Sequence, residues 1–126
     1  MVEVATLAIT WTEALNRRDA ERLRDLSAAE IELLGPKGKG KGHELLFHWL
    51  GRAGATFQTV KVFARGNAAV LDQIGTWIVP PHLNETYSVA SVYRAEGGKI
   101  SFYARHDTLD EALKMAGLDR SDERHL

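Results

Sequence analysis

The chain has 126 residues, 44% hydrophobic and 26% charged, with a net charge of −1 at pH 7. That length supports one domain burying roughly two-thirds of its unfolded surface, and the near-neutral charge provides no field favouring nucleic acid or an anionic membrane. The absence of cysteine excludes disulfides, thiolate catalysis and Cys-ligated zinc, and no apolar run approaches the ~18 residues that span a bilayer.

The N-terminal stretch carries Glu3 and Glu13 and no basic region, so it does not read as a signal peptide, and the expected location is the cytoplasm. Residues 3–16 place Val4, Leu7, Ala8, Trp11, Ala14 and Leu15 at helical spacing. Asp19 is an N-cap for a second short helix, AERLRDL. AEIELLGP reads as a short strand, and GPKGKGKG as a loop that holds neither helix nor strand. A third helix, HELLFHWLGRAG, presents Leu45, Leu46, Trp49 and Leu50 on one face.

From Thr56 the pattern changes. TFQTVKVFAR, AAVLDQIGTWIV, ETYSVASVYRAE and KISFYARH are rich in β-branched and aromatic residues and are separated by GN, PPHLN and GG, which are turn or loop signals. A closing helix, LDEALKMAGL, has Leu109, Leu113 and Leu118 as its apolar points, and the polar tail 119–126 is expected to fray. The order predicts one α+β domain over residues 1–118, a curved antiparallel sheet with helices on its concave face enclosing a pocket.

The segments EALNRRDAERLRDL, IELLGPKGKGKGHELLFHWL and VYRAEGGKISFYARHDTLDEAL resemble the SnoaL-like members of the nuclear transport factor 2-like superfamily. The resemblance implies a cone-shaped fold and a small, mostly apolar ligand, with isomerase, hydrolase or cyclase chemistry in some members. It also implies which places to check. The positions of the three ketosteroid isomerase side chains are taken by Gly35, Ala90 and Trp11, and none of these is an acid. The chain is therefore not a ketosteroid isomerase. Matched without gaps to limonene epoxide hydrolases, Arg105 takes the place of the water-activating Asp, and a two-residue shift puts Asp107 there. Asp72 could supply the second carboxylate, but Val70 stands where the bridging arginine is expected, so the triad is incomplete unless Arg105 substitutes from across the sheet.

The same matching turns Thr86, Ser88, Ala90 and Val92 inward, together with Ser101, Tyr103, Arg105 and Asp107 of the last strand. Asp107 is then the candidate base, Arg105 an orienter or oxyanion stabiliser and Asp72 a second carboxylate. Trp11, Leu15, Trp49, Ser88, Val92 and Tyr103 would line the ligand site. Gln73 replaces Asp72 as the inward residue if the register slips by one. Tyr87, Val89, Ser91 and Tyr93 fall on the outer face with Ile100, Phe102 and Ala104, an apolar set that calls for a homodimer packed through the convex face. The competing reading is a monomer of opposite register, in which that face is the core and Arg105 and Asp107 are solvated.

His106 projects away from Arg105 and Asp107. His43 and His48 lack the i, i+4 spacing of a metal pair, and His82 lies in a loop, so no metal site is expected. No cofactor motif is present, and PKGKGKG lacks the pattern of a phosphate-binding loop. Three functional classes remain: a small-molecule enzyme, a non-catalytic ligand binder using the same cone, and a protein-interaction dimer whose cone is filled by Trp11, Trp49, Trp77 and Phe63.

Overall fold

The protein is described by a computed structural model over residues 3–35, 38–52 and 54–125. Helix α1 (Val4–Asn16) buries the stripe of Val4, Leu7, Ala8, Trp11, Ala14 and Leu15. Just past its end, Arg18 adopts φ 56° and its guanidinium donates to the carbonyls of Leu15 (2.8 Å) and Ala55 (2.9 Å), satisfying a carbonyl of the last turn. Helix α2 (Ala20–Leu26) starts at Asp19, whose carboxylate accepts from the Arg22 amide, as the cap residue requires.

Strand β1 (Ser27–Gly35) follows, then β2 (Gly38–Lys41), helix α3 (His43–Arg52), and strands β3 (Ala55–Arg65), β4 (Ala68–Trp77), β5 (Thr86–Glu96) and β6 (Lys99–His106). Helix α4 (Leu109–Ala116), a 3₁₀ turn (Arg120–Asp122) and the short strand β7 (Glu123–Arg124) complete the described chain. Among the described residues the strands form one open sheet in the order β2-β1-β6-β5-β4-β3-β7. All neighbours are antiparallel except β1 and β6, so the sheet is mixed rather than wholly antiparallel. The long strands turn at Gly66 (φ 61°) and at Gly97 and Gly98 (φ 58° and 79°), where only glycine enters the left-handed region freely.

The lysine-glycine segment departs from the expected loop. Residues 38–41 pair with β1 in the register Glu32↔Lys41 and Leu34↔Lys39, a backbone ladder with an opposite-charge pair that outweighs the poor strand propensity of glycine. Pro36 and Lys37 of that loop, Leu50's side chain and Leu126 at the tail's end lie outside the described residues. The rest of the tail does not fray. Asp119 and Asp122 form a reciprocal capping box around the 3₁₀ turn, β7 pairs with β3, and Arg124 meets Glu3 at 2.6 Å.

Helices cover both faces of the sheet, not the concave face alone. On one side α1, α2 and α3 pack Trp11, Leu15, Leu23 and Leu46 against Phe57, Leu71, Tyr93 and Tyr103. On the other, Leu113 and Ala112 of α4, with Leu118 beyond it, pack against Phe63, Val70, Ala90, Val92 and Ala104. This reverses the expected facing of β5. The pairs Tyr93↔Tyr103 and Ser91↔Arg105 put Tyr87, Val89, Ser91 and Tyr93 on the concave side, and Ala90 and Val92 under α4. A partner sheet is therefore not needed to cover Tyr87, Val89, Ser91 and Tyr93.

If α4 is an integral layer, Leu113→Ala should lower unfolding free energy by ~2–4 kcal/mol in urea titration, the usual cost of a buried leucine truncation. An unchanged midpoint would mean that α4 contributes nothing to the core.

Candidate functional site

Four aromatic rings close the inner end of the concave side. The Trp11 ring lies 4.7 Å from Tyr103 and 5.8 Å from Tyr93, Tyr93 is 5.2 Å from Tyr103, and Trp49 stands edge-on to Tyr103 at 5.4 Å. The polar atoms of Trp11, Tyr93 and Tyr103 are paired inside the cluster. The Trp11 indole donates to Ser27 Oγ (2.9 Å), which donates to the Leu23 carbonyl (2.7 Å). Tyr93 and Thr12 hydroxyls are 2.6 Å apart, and Ser91 Oγ donates to Gln73 Oε1 (2.8 Å) while lying 3.3 Å from the Tyr103 hydroxyl. Trp11 and Leu15 belong to this packed plug, so neither lines open space. Phe63, expected as a filler of the cone, sits on the other face under α4.

Open space begins where the plug ends. A cleft of about 450 Å³ is lined by Ala55, Phe57, Gly75, Trp77, His82, Tyr87, Ser88, Val89, Arg105 and Asp107. The Asn16 side chain fixes Phe57 by donating to its carbonyl and accepting from its amide, both at 2.9 Å. Gly75 gives the Phe57 ring its place, since a Cβ there would stand 3.1 Å from Cε1. A second cleft of about 390 Å³ is lined by Leu34, Trp49, Tyr103, Arg105, His106, Asp107 and Glu111. Arg105 and Asp107 line both.

Arg105 is half-buried, with its guanidinium 5.3 Å from the centre of the Phe57 ring. It makes no hydrogen bond or ion pair among the described residues. Asp107 lies one residue past β6, is exposed, and is likewise unpaired among the described residues. The expected pair is thus brought to one cleft without being joined.

Asp72 is not brought there. It pairs across the strands with Lys61 and Ala90, on the α4 side of the sheet, while its neighbour Gln73 points to the concave side and is buried. A hydrolase-type triad of Asp72, Arg105 and Asp107 does not assemble, because alternation along β4 sends Asp72 and Gln73 to opposite faces. Val92 is also on the α4 side, Ser88 borders the first cleft, and Trp49 and Tyr103 border the second. His106 turns toward α4, with Nε2 3.2 Å from Met115 Sδ.

The sequence places Trp77 in the cone, but does not single out Ala55, Phe57, Gly75, His82, Tyr87 or Val89 as lining it. A glycine inside a β-rich run, Gly75 followed by Trp77, was the available signal of a close approach. Beyond it, the loop 78–85 brings His82 Nδ1 to Glu85 Oε2 at 2.5 Å, and the same oxygen accepts from the Tyr87 hydroxyl at 3.1 Å. That hydrogen bond is the main reason the Tyr87 phenol is pushed above its ordinary range, with desolvation and the Glu85 charge adding to it.

By its folding the chain is an α+β protein whose mixed sheet carries helices on both faces. A family model for the SnoaL-like domain matches residues 8–103, and the chain belongs to that family. Similar solved structures include an NTF2-like protein of unknown function from Cytophaga hutchinsonii, at 17% identity and TM-score 0.73, covering 88% of this chain and 95% of that one. An epoxide hydrolase of M. tuberculosis, described as LEH-like, shares 15% identity with TM-score 0.69 over 90% and 88% of the two chains. A computationally designed 17-OHP binder shares 14% with TM-score 0.69 over 87% and 95%. At these identities the likeness is one of fold. No curated protein matches the chain by sequence.

The buried tyrosines make alkaline stability a test of the plug. Burial is the main cause that pushes both the Tyr93 and Tyr103 phenols up. Tyr103 adds to the rise of Tyr93 while hydrogen bonds to Thr12, Gln73 and Ser91 oppose it, and Arg105 and Ser91 pull Tyr103 part of the way back. The folded state therefore keeps these protons after the unfolded chain, with the ordinary value of 10.0, has lost them. Stability is fully present below that pH and falls as pH rises through it, by up to ~1.4 kcal/mol per pH unit for each tyrosine. Denaturation between pH 9 and about 11.5 should show this slope, and Tyr103→Phe should reduce it. A flat profile would mean that the phenols are open to solvent.

Proposed function

We propose that the protein binds a small, mostly apolar molecule in the 450 Å³ cleft, with an oxygen-bearing end of the ligand meeting Arg105. The observation that carries this reading is the half-buried guanidinium, unpaired among the described residues, over the Phe57 ring in a cleft that Trp77 and Tyr87 also line. A guanidinium partly removed from water gains from a matching acceptor, and its planar fork fits a carboxylate or carbonyl oxygen better than an apolar group. The aromatic walls supply area without charge, the usual division of labour in a small-molecule site. The occurrence of a designed 17-OHP binder and of an epoxide hydrolase on this fold supports a ligand-sized cavity and leaves chemistry open.

Asp107 stands on the same cleft and is the residue that the acid–base form of this reading would use, with Arg105 holding a developing negative oxygen. Asp72, on the far face, has no part in it. A homodimer keeps one support: Ile74, 39% exposed, lies on the outer face away from the residues that α4 covers, where a second copy would bury it.

The test uses a pair of probes of similar shape. 2-Naphthoate should bind and quench tryptophan fluorescence, and Arg105→Gln should weaken it by ~10–100-fold, the value of one or two charge-assisted hydrogen bonds. Binding of neutral 2-methylnaphthalene should be nearly unaffected by the substitution. Equal losses for both probes, or none for either, would remove Arg105 from the site.

A further inference from the structure

A polar group on the cleft that the above reading leaves unused is His82. It sits in the loop between β4 and β5, yet that loop is strapped at its base. The amide of Trp77 donates to the Glu85 carbonyl (3.0 Å), Asn84 to the Trp77 carbonyl (2.9 Å), Glu85 to the His82 carbonyl (2.9 Å) and Ile78 to the Gly54 carbonyl (2.7 Å). Glu85 then holds the imidazole from one side at Nδ1, and Tyr87 holds Glu85. A carboxylate on Nδ1 fixes the proton there and leaves Nε2 as a lone-pair base. Nε2 has no hydrogen-bond partner among the described residues. The imidazole borders the same cleft as Arg105 and lies 6.4 Å from the Trp77 ring.

We propose that His82 is the proton-transfer group of this cleft and that the cleft hydrolyses carboxylic esters of apolar alcohols. The inference rests on the reading that a ligand oxygen meets Arg105, and it moves the base from Asp107 to His82. The chemistry balances with water as the only co-reactant. His82 Nε2 takes a proton from water as the water oxygen forms a bond to the ester carbon, and the carbonyl electron pair moves onto an oxygen facing Arg105. That pair then returns, the bond to the leaving alkoxide oxygen breaks, and Nε2–H gives its proton to the alcohol. His82 ends as it began. Glu85 is a positioning residue, acting on the substrate only through the imidazole. The cleft mouth is open at His82, whose side chain is 58% exposed, so water reaches the base while the apolar alcohol lies on Phe57, Trp77 and Val89.

The experiment follows 2-naphthol released from 2-naphthyl acetate, with 2-naphthoate binding measured on every variant. The intact protein should exceed equimolar free imidazole by at least ~100-fold, the lower end for a positioned acid–base group. His82→Gln should lose that excess while binding 2-naphthoate normally. Glu85→Gln should lower kcat with little change in KM, a split that mere loop damage would not give. Binding of 2-naphthoate without turnover above imidazole overturns the esterase inference alone. Turnover that survives His82→Gln overturns the role of His82. Failure of 2-naphthoate to bind the intact protein overturns the Arg105 reading and this inference together.

Discussion

The packing of Trp11 between Tyr93 and Tyr103 is the contact on which the rest of the arrangement depends. It joins the first helix to strands almost at the other end of the chain, and so fixes which side of β5 and β6 faces inward. Once Tyr93 and Tyr103 face α1, alternation carries Ser91 and Arg105 to the same side and Ala90, Val92 and Ala104 to the other. The second layer, α4, has its docking surface as a consequence. The cluster buries the hydroxyls of Thr12, Ser27, Ser91, Tyr93 and Tyr103 and the Trp11 indole, and each of these finds a partner, so they add specificity to the packing.

The plug also decides where a ligand can go. Trp11, Leu15, Tyr93 and Tyr103 fill the inner end, leaving the cleft toward the ends of β3, β4 and β5, with Arg105 at the boundary. Among the described residues, Gln73 Nε2 is the buried side-chain polar atom without a hydrogen bond. It is tied to the plug by the Ser91 hydrogen bond to its Oε1 and borders neither cleft, so its cost is part of the packing rather than an invitation to a ligand.

Much of the architecture was legible because local signals agreed with one another. The stripe of α1, the Asp19 cap, the glycine turns and the β-branched runs each point to the element that forms, and the last strand begins and ends where its composition changes. The facing of β5 was not legible. In TYSVASVY both alternating sets contain apolar residues, because α1 covers one side and α4 the other, and a strand buried on both faces loses the polar half of its pattern. Matching Ala90 to the inner wall by family resemblance then inverted the strand. The same inversion made a covered face look exposed and generated the need for a partner sheet.

The site was half legible for a related reason. Arg105 and Asp107 are two apart near a strand end, so one local rule places them together, and the structure brings both to the cleft. Asp72 was drawn in by analogy with a paired-carboxylate site, but parity on β4 sends it away. His82, Glu85 and Tyr87 are close in sequence, yet nothing in PHLNETY announces their convergence, since it depends on the Trp77 and Glu85 backbones closing the loop. Chemistry on a rigid strand and chemistry on a strapped loop thus meet across one cleft: the strand supplies a fixed positive charge, and the loop supplies a base oriented by its own carboxylate. Placing the base at the mouth keeps it hydrated, whereas a carboxylate or imidazole inside the aromatic plug would need a charged partner that the plug does not contain.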